Sequence, residues 1–581
     1  MPLKNIATAA AAAIMLACFA ALGVGHMRHN SVTVDEFTHI PIGYSILKSG
    51  NYAADYMGNP PLLRRWLAIP LLKIQPSYIV DERPEDLQSM KTQWHFAITN
   101  APIYHRIVEA SRKQTLILGT LLGAALATAA WVYYGPAAAA VSTALYCFSP
   151  NIIAHSSLAT LDAGLAFFCF AGMLAFNALV RSPGVKTAAL CGAFSGLAMS
   201  AKFTGALLPL SQLACLAVVF VPRAFKLNAV SDAPRDARAG KTFFWLAASF
   251  IVAALALNAS YGFDGCLVRF SELDFKSDAL LAAADSVPWL RVPLPKYYIL
   301  GVDAQMAASG KVHVFYLMGK LSSEGWRGYY LWTYLLKESI PAIALAAAAA
   351  VSFAVRRPRS LELFMALSAI AVFFFYSFAS KVDLGARYLL PALPPIYFLC
   401  GRLAGKNFAG VKNKRTIAAA CAIAIALGWH VAGAARQYPY FISYFNESAG
   451  GPEKASRLLL ESNLDWGQNL IALKSYMDEN GLERVMLYNY GVSPPALYGV
   501  RHDWLPCGPT EGIIAVSYNY INGVNPFERA RGGDCFAWLK NVEPVAVVGR
   551  SLPVFDTRKK FRQNNVALSA QINNPESYTS F

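Results

Sequence analysis

Two adjacent carboxylates, Asp35 and Glu36, open the first polar stretch of the chain, VDEFTHIPIGYSILKSGNYAADYMGNPPLLRRWLAIP, directly after an N-terminal apolar run. His39 lies four residues beyond Asp35, the spacing that stacks two side chains on one helical face. A turn follows at Asn59-Pro60-Pro61, and then an amphipathic segment carrying Arg64, Arg65 and Trp66. A charge at the edge of a bilayer must be hydrated, paired or employed, because burying it alone is costly. The plain reading of the acid pair is a solvated loop start. The functional reading is a carboxylate held at the membrane surface as a general base. A metal held by Asp35, Glu36 and His39 has only an unspecific spacing behind it.

Further along, polar residues recur where apolar runs begin or end. Asp162 opens a span in SSLATLDAG, and Lys202 stands in SAKFTG between two spans. Lys337 and Glu338 fall inside an apolar stretch, followed by Pro341; Lys381, Asp383 and Arg387 precede Tyr388 in SKVDLGARYLLPALPP. Each has a structural alternative. Asp162 could simply cap its helix, Lys202 and Lys381 could snorkel to headgroups, and Arg387 could anchor a lipid. Lys337 and Glu338 are neighbours that diverge around a helix, so they do not pair with each other.

The elements that must position these residues follow from composition. Of 581 residues 55% are hydrophobic and only 15% charged, and the mean hydropathy is positive; recurrent apolar runs place the chain in a membrane. Spans are expected near 5–27, 114–134, 136–149, 159–180, 187–200, 203–221, 243–263, 329–355, 361–379, 388–403 and 416–435, about eleven in all. The net charge of +16 comes mainly from short loops, as membrane topology requires, and no nucleic-acid module is present, so a nucleic-acid partner is rejected. With the N-terminus inside, the basic loops (Arg181 and Lys186; Arg223 to Lys241; Arg356, Arg357 and Arg359; Arg402 to Arg415) all fall inside. The Asp35, Asp162, Lys202 and Arg387 segments then fall outside together.

The expected organisation is a membrane domain over residues 1–435, with outer loops 28–112 and 263–328, and an outer α/β domain over 436–581. In that tail, helical patterns at 453–460 and 468–480 precede strand-like runs at 484–490, 512–518 and 542–548. It has no glycine-rich phosphate fingerprint. Cys507 and Cys535 lie there and could pair in an oxidising compartment. Acids and bases gathered at headgroup depth suit one chemistry: cations stabilise a departing lipid phosphate while a carboxylate takes a proton from an attacking hydroxyl. The rival reading, a transporter or flippase of lipid-linked saccharide, would place charges near the midplane and show a repeat.

These motifs resemble the membrane-embedded C-type glycosyltransferases of family 39, which contains protein O-mannosyltransferases and lipid A aminoarabinose transferases. The similarity rests on DEFTHIPIGYSILKSGNY with NPPL downstream, SPNIIAHSSLATLD, GLAMSAKFTG and RYLLPALPP, and on YFNESAGGPEKASRLLLESNLDWGQNL in the tail. The resemblance implies a polytopic all-α C-type fold and an inverting transferase on the outer face of a bacterial inner membrane. It implies a polyprenyl-phosphate sugar donor and a lipid, glycan or protein hydroxyl as acceptor, with no required cofactor. Asp35 maps onto the catalytic base with Glu36 beside it, and Asp162 onto a second site acid. Substrate and phosphate contacts are expected from Lys202 and Arg387, and also from Lys337, Arg64, His39 and Tyr388. Asn59 stands where relatives carry His or Glu-Lys, so aminoarabinose specificity is not implied.

Overall fold

The computed structural model describes residues 3–78, 90–224, 239–308, 314–380, 382–405, 414–452, 454–524 and 534–558. Lys381, Glu453 and most of the expected inner basic loop at 223–241 lie outside these residues. Helix α1 (Leu3–His29) leads into α2 (Val34–Ser49), α3 (Pro61–Ala68), the single turn α4 (Leu71–Ile74) and α5 (Met90–Thr99). The expected loop 28–112 is thus largely helical. Glu36, three residues into α2, accepts from Thr33 N–H at 3.0 Å, and Gly50 closes the helix with φ 67°, so both ends have local signals. Pro61 starts α3, where a missing N–H costs nothing. The two helices touch at Gly43, where an added Cβ would lie 2.1 Å from the Arg64 carbonyl oxygen.

The membrane bundle contains α6 (Tyr104–Tyr134), α7 (Pro136–Cys147), α8 (Pro150–Ser156), α9 (Asp162–Arg181), α10 (Val185–Ala201), α11 (Leu207–Ala224) and α12 (Ala239–Ser260). An excursion between α12 and the rest of the bundle carries α13 (Asp278–Ser286), α14 (Lys296–Ala308) and the antiparallel pair β1 (Phe315–Leu317) and β2 (Lys320–Ser322). The bundle resumes with α15 (Tyr329–Lys337), α16 (Ile340–Val355), α17 (Ser360–Phe374), α18 (Leu393–Cys400) and α19 (Lys414–Gln437). Among the described residues six helices are long and apolar enough to cross a membrane, or eight if the bent pairs α7/α8 and α15/α16 each count as one span. The remaining spans of the expected eleven fall on shorter elements. The α15/α16 pair bends by 119°, because Glu338 and Ser339 adopt extended backbone and Ser339 starts a new helix with Pro341 in its first turn. The span expected at 388–403 is a 3₁₀ turn (Ala386–Ala392) followed by the short α18, since Pro391, Pro394 and Pro395 remove donors from the ladder. The short apolar helices Val185–Ala201 and Phe203–Val219 occupy two further expected spans.

The tail folds around a five-stranded sheet of order β4-β3-β5-β7-β6, with β3 (Val485–Tyr488), β4 (His502–Trp504), β5 (Ile513–Val516), β6 (Ala546–Val548) and β7 (Leu552–Asp556). Strands β3, β4 and β5 are parallel; β7 runs antiparallel to both β5 and β6. Helix α20 (Leu470–Glu479) packs Leu470, Leu473 and Met477 into the sheet core, and α21 (Tyr518–Ile521) follows β5. The expected helix at 453–460 is only a 3₁₀ turn, Ala455–Arg457. Cys507 and Cys535 form a disulfide.

This C-terminal unit is stitched to the entrance of α2. Ser31 N–H donates to the Gln468 carbonyl at 2.9 Å and Val34 N–H to the Trp466 carbonyl at 3.2 Å. Ser31 Oγ donates to the Gly467 carbonyl at 2.9 Å, and Val32 N–H to the Tyr498 hydroxyl at 3.0 Å. Gly467, at φ 91°, lies so close to Gly491 that a Cβ would approach its Cα to 2.4 Å. Adding one methyl at the α2–α3 contact tests how tightly the first acid is framed. Gly43→Ala is expected to destabilise the protein by about 1–3 kcal/mol, read as a lowered melting temperature in detergent; an unchanged melt would mean that α3 can slide freely against α2.

Candidate active site

Neighbouring residues on a helix point about 100° apart, and that divergence separates the two acids. Glu36 turns inward and is fully buried. Its Oε1 accepts from Arg112 Nε and from Ala159 N–H, both at 2.7 Å. Its Oε2 accepts from Arg112 Nη2 at 2.7 Å and from Thr33 N–H and Oγ1, both at 3.0 Å. Burial pushes its pKa up, but Arg112 and these donors outweigh that and hold the carboxyl below its usual range. A carboxylate with every acceptor site engaged and no path to solvent cannot take a proton from a substrate. Glu36, expected beside the catalytic base, is thus placed as a buried anchor for Arg112.

Asp35 faces outward into a cavity of about 460 Å³. Its Oδ2 pairs with Arg387 Nη1, brought by the 3₁₀ turn Ala386–Ala392, and His39 Nε2 lies 3.9 Å from the same oxygen. Burial works to raise the Asp35 pKa, yet the Arg387 guanidinium outweighs it, leaving the carboxyl below its ordinary value. Burial, with Arg64 nearby, pushes the His39 imidazole down to about 3, so it is neutral at physiological pH. The Asp35 side chain keeps 29% of its surface exposed against 7% for Arg387, so the acid rather than its partner is open to an incoming group.

A second pair stands beside the first. Asp162 opens α9, and its Oδ1 accepts from Lys202 Nζ at 2.7 Å. Lys202 follows the C-terminus of α10 in extended backbone. The Tyr388 ring joins the pairs: Lys202 Nζ lies 4.5 Å and Arg387 Cζ 5.0 Å from its centroid. The guanidinium also covers Trp466 at 4.3 Å, and its buried Nε has no hydrogen-bond partner. Asp35, Asn59, Lys202, Arg387 and Tyr388 line the cavity, and so do Phe203, Leu207, Leu210 and Phe375. Leu210 is exposed on the flank of the bundle. Charged and apolar side chains therefore line the same cavity.

Three expected contacts are placed elsewhere. Lys337 is buried and donates to the carbonyls of Ile442 at 2.7 Å and Asn463 at 2.6 Å, so it ties the α15 end to the C-terminal unit and does not line the cavity. Arg64 is buried in an ion pair with Asp55 at 2.6 Å and supports the turn that presents Asn59, without lining the cavity itself. His39 touches Asp35 but not the cavity wall. Two contributors were not read as site residues. Arg112, the last residue of the expected loop 28–112, lies inside α6 and is 2% exposed. Trp466 was visible only as part of DWGQN, with no periodicity to mark it.

Residues 104–260 match the family model described as Dolichyl-phosphate-mannose-protein mannosyltransferase. That stretch covers α6 to α12 and contains Asp162 and Lys202, but neither Asp35 nor Arg387. No curated protein matches. Among solved structures, ArnT from Cupriavidus metallidurans bound to undecaprenyl phosphate is similar at 12% identity, covering 95% of this chain and 97% of that one, with a TM-score of 0.46. The apo state of ArnT from the same organism aligns at 13% identity over 94% and 98%, TM-score 0.46. The archaeal oligosaccharyltransferase AglB from Archaeoglobus fulgidus, in complex with an inhibitory peptide and a dolichol-phosphate, aligns at 12% identity over 90% and 71%, TM-score 0.48.

The two acids can be told apart by their failure modes. Glu36→Gln leaves Arg112 buried with a weakened partner and is expected to destabilise by about 3–5 kcal/mol, a large fall in melting temperature. Asp35→Asn removes a half-open charge and is expected to melt near the parent. Equal melts for the two variants would contradict the division of labour.

Proposed function

We propose that the chain is a membrane glycosyltransferase that moves a sugar from a polyprenyl phosphate to a hydroxyl acceptor with inversion. The observation that carries this reading is that Asp35, Arg387, Tyr388 and Lys202 line one cavity together with Phe203, Leu207 and Leu210, with Asp162 paired to Lys202 behind them. The match of residues 104–260 to a mannosyltransferase family supports it. A sugar on a lipid phosphate is amphipathic in the same sense as this cavity: its phosphate suits Arg387 and Lys202, and its chain suits Phe203, Leu207 and Leu210.

In the reaction Asp35 takes the proton of the acceptor hydroxyl. The acceptor oxygen forms a bond to the anomeric carbon as the bond to the phosphate oxygen breaks, and polyprenyl phosphate leaves with the electron pair. Arg387 and Lys202 stabilise the charge gathering on the leaving phosphate. Before the donor binds, Asp35 is neutralised by Arg387 and is a poor base. A phosphate competing for that guanidinium releases the carboxylate, so donor binding arms the base. Neutral His39 accompanies Asp35 without competing for its charge. The setting is the outer face of a bacterial inner membrane, which suits the Cys507–Cys535 disulfide.

Purified protein supplied with several polyprenyl-phosphate sugars and candidate acceptors is expected to release polyprenyl phosphate with one of them, and Asp35→Asn to lower kcat at least about 1,000-fold, within the range for loss of a positioned base. A base held below the usual carboxylate range is active above its pKa and fails only as pH falls through it. The acid limb of kcat/KM should thus lie below about pH 4. Arg387→Gln should move that limb to higher pH, because the group that depresses Asp35 is gone. An acid limb unmoved by Arg387→Gln would remove Asp35 from the role of base.

A further inference from the structure

The outer sheet has a second cavity, remote from the charged site and of opposite character. It measures about 240 Å³ and lies at the carboxyl ends of the parallel strands. Strand β3 ends there in Tyr488 and Asn489, β4 ends there in Trp504, and Tyr520 enters from the helix that follows β5. The chain leaves β3 for β4 on one side, and β5 pairs on the other side. That reversal is the topological switch point, where open α/β sheets leave a crevice between diverging loops. Helix α5 of the first outer segment closes the crevice with Trp94.

The lining decides the ligand class. None of the described residues lining the cavity is Lys, Arg, Asp or Glu, so a nucleotide, free phosphate or other strongly charged ligand has no counterion there. Four aromatic side chains converge instead. The Tyr488 and Tyr520 rings meet edge to face at 4.5 Å, and the Trp504 indole packs edge to face on His502 at 5.6 Å. Trp504 remains 73% exposed, a large flat ring offered to solvent on a disulfide-stapled unit. The Asn489 amide and the His502 ring stand among these faces as hydrogen-bonding groups. Flat apolar faces alternating with uncharged donors and acceptors match a pyranose, which presents C–H groups on its faces and hydroxyls around its rim.

We propose that this crevice binds the saccharide portion of the acceptor. The proposal rests on the glycosyltransferase reading and names its acceptor class. The two sites are joined through the backbone: Gly491, at the cavity wall, packs on Gly467, and the adjoining Trp466 stacks on Arg387 and bonds to the first residue of α2. A saccharide held at the crevice therefore rests on the same rigid loop that frames Asp35.

The test is binding of maltose, cellobiose and lactose to the full-length protein in detergent, followed by tryptophan fluorescence and by saturation-transfer NMR. At least one disaccharide is expected to saturate in the millimolar range, about 1–10 mM. Trp504→Ala is expected to weaken it about five- to tenfold, and Trp94→Ala should do the same, whereas Asp35→Asn should leave it unchanged. Because Trp504 is exposed, its loss should leave the melt and the disulfide intact. Absence of saturable binding to all three sugars would overturn the proposal. So would binding that survives both tryptophan variants, or capture of an extended peptide along edge strand β4 in place of sugars. If disaccharides bind but no polyprenyl-phosphate sugar is turned over, the crevice stands and the transferase reading falls.

Discussion

The arrangement depends on one buried cation. Arg112 spends all five of its donors: two on Glu36, and the rest on the carbonyls of Met27 at 2.5 Å, Asn30 at 2.8 Å and Ser31 at 2.9 Å. These carbonyls belong to the end of α1 and the link into α2, so a single guanidinium fixes where the first membrane helix stops and the second helix starts. Burying such a pair is expensive unless every lone pair and proton is satisfied, and here both partners meet that condition. Once Glu36 is held inward, the turn of the helix leaves its neighbour Asp35 no direction but the cavity.

The same entrance is clamped from the other side by the C-terminal unit. Residues 466–468 bond to residues 31–34, and the Trp466 ring lies against Arg387. Lys337 and Asn463 extend that connection, since the lysine of α15 donates to the Asn463 carbonyl and the Asn463 side chain donates to the Tyr329 hydroxyl at 2.9 Å. The tail is therefore part of the framework of the site, although none of its residues lines the charged cavity. Placing the acid on a helix start held by two shells gives it the rigidity that positioned proton transfer requires.

Much of this was legible from residue types alone, and the errors have physical causes. Asp35, Asp162, Lys202, Arg387 and Tyr388 stood out because charges beside apolar runs are rare, and sidedness put them on one face. Their pairing partners were not legible, because contacts across 352 residues, as for Asp35 and Arg387, leave no local spacing. The Glu36–Arg112 pair was not legible for a related reason: an ion pair looks like two exposed charges until the fold buries it. Hydropathy alone does not register helix length or breaks: the expected spans at 187–200 and 203–221 fall on the short apolar helices Val185–Ala201 and Phe203–Val219, and the proline-rich 3₁₀ turn that carries Arg387 keeps the apolar character of its stretch. Strands β4 and β7 were overlooked because each is short and interrupted by charge or proline, as in His502–Trp504 and Leu552–Asp556.

An ion pair that must open for a base to act makes a direct structural claim about the donor-bound protein. The decisive measurement is an experimental structure with polyprenyl phosphate in the cavity. The account requires phosphate oxygens on Arg387 and Lys202, the Asp35 carboxylate released from the guanidinium, and the Glu36–Arg112 pair unmoved. A bound phosphate that leaves the Asp35–Arg387 pair closed, or that lies away from both cations, would contradict it.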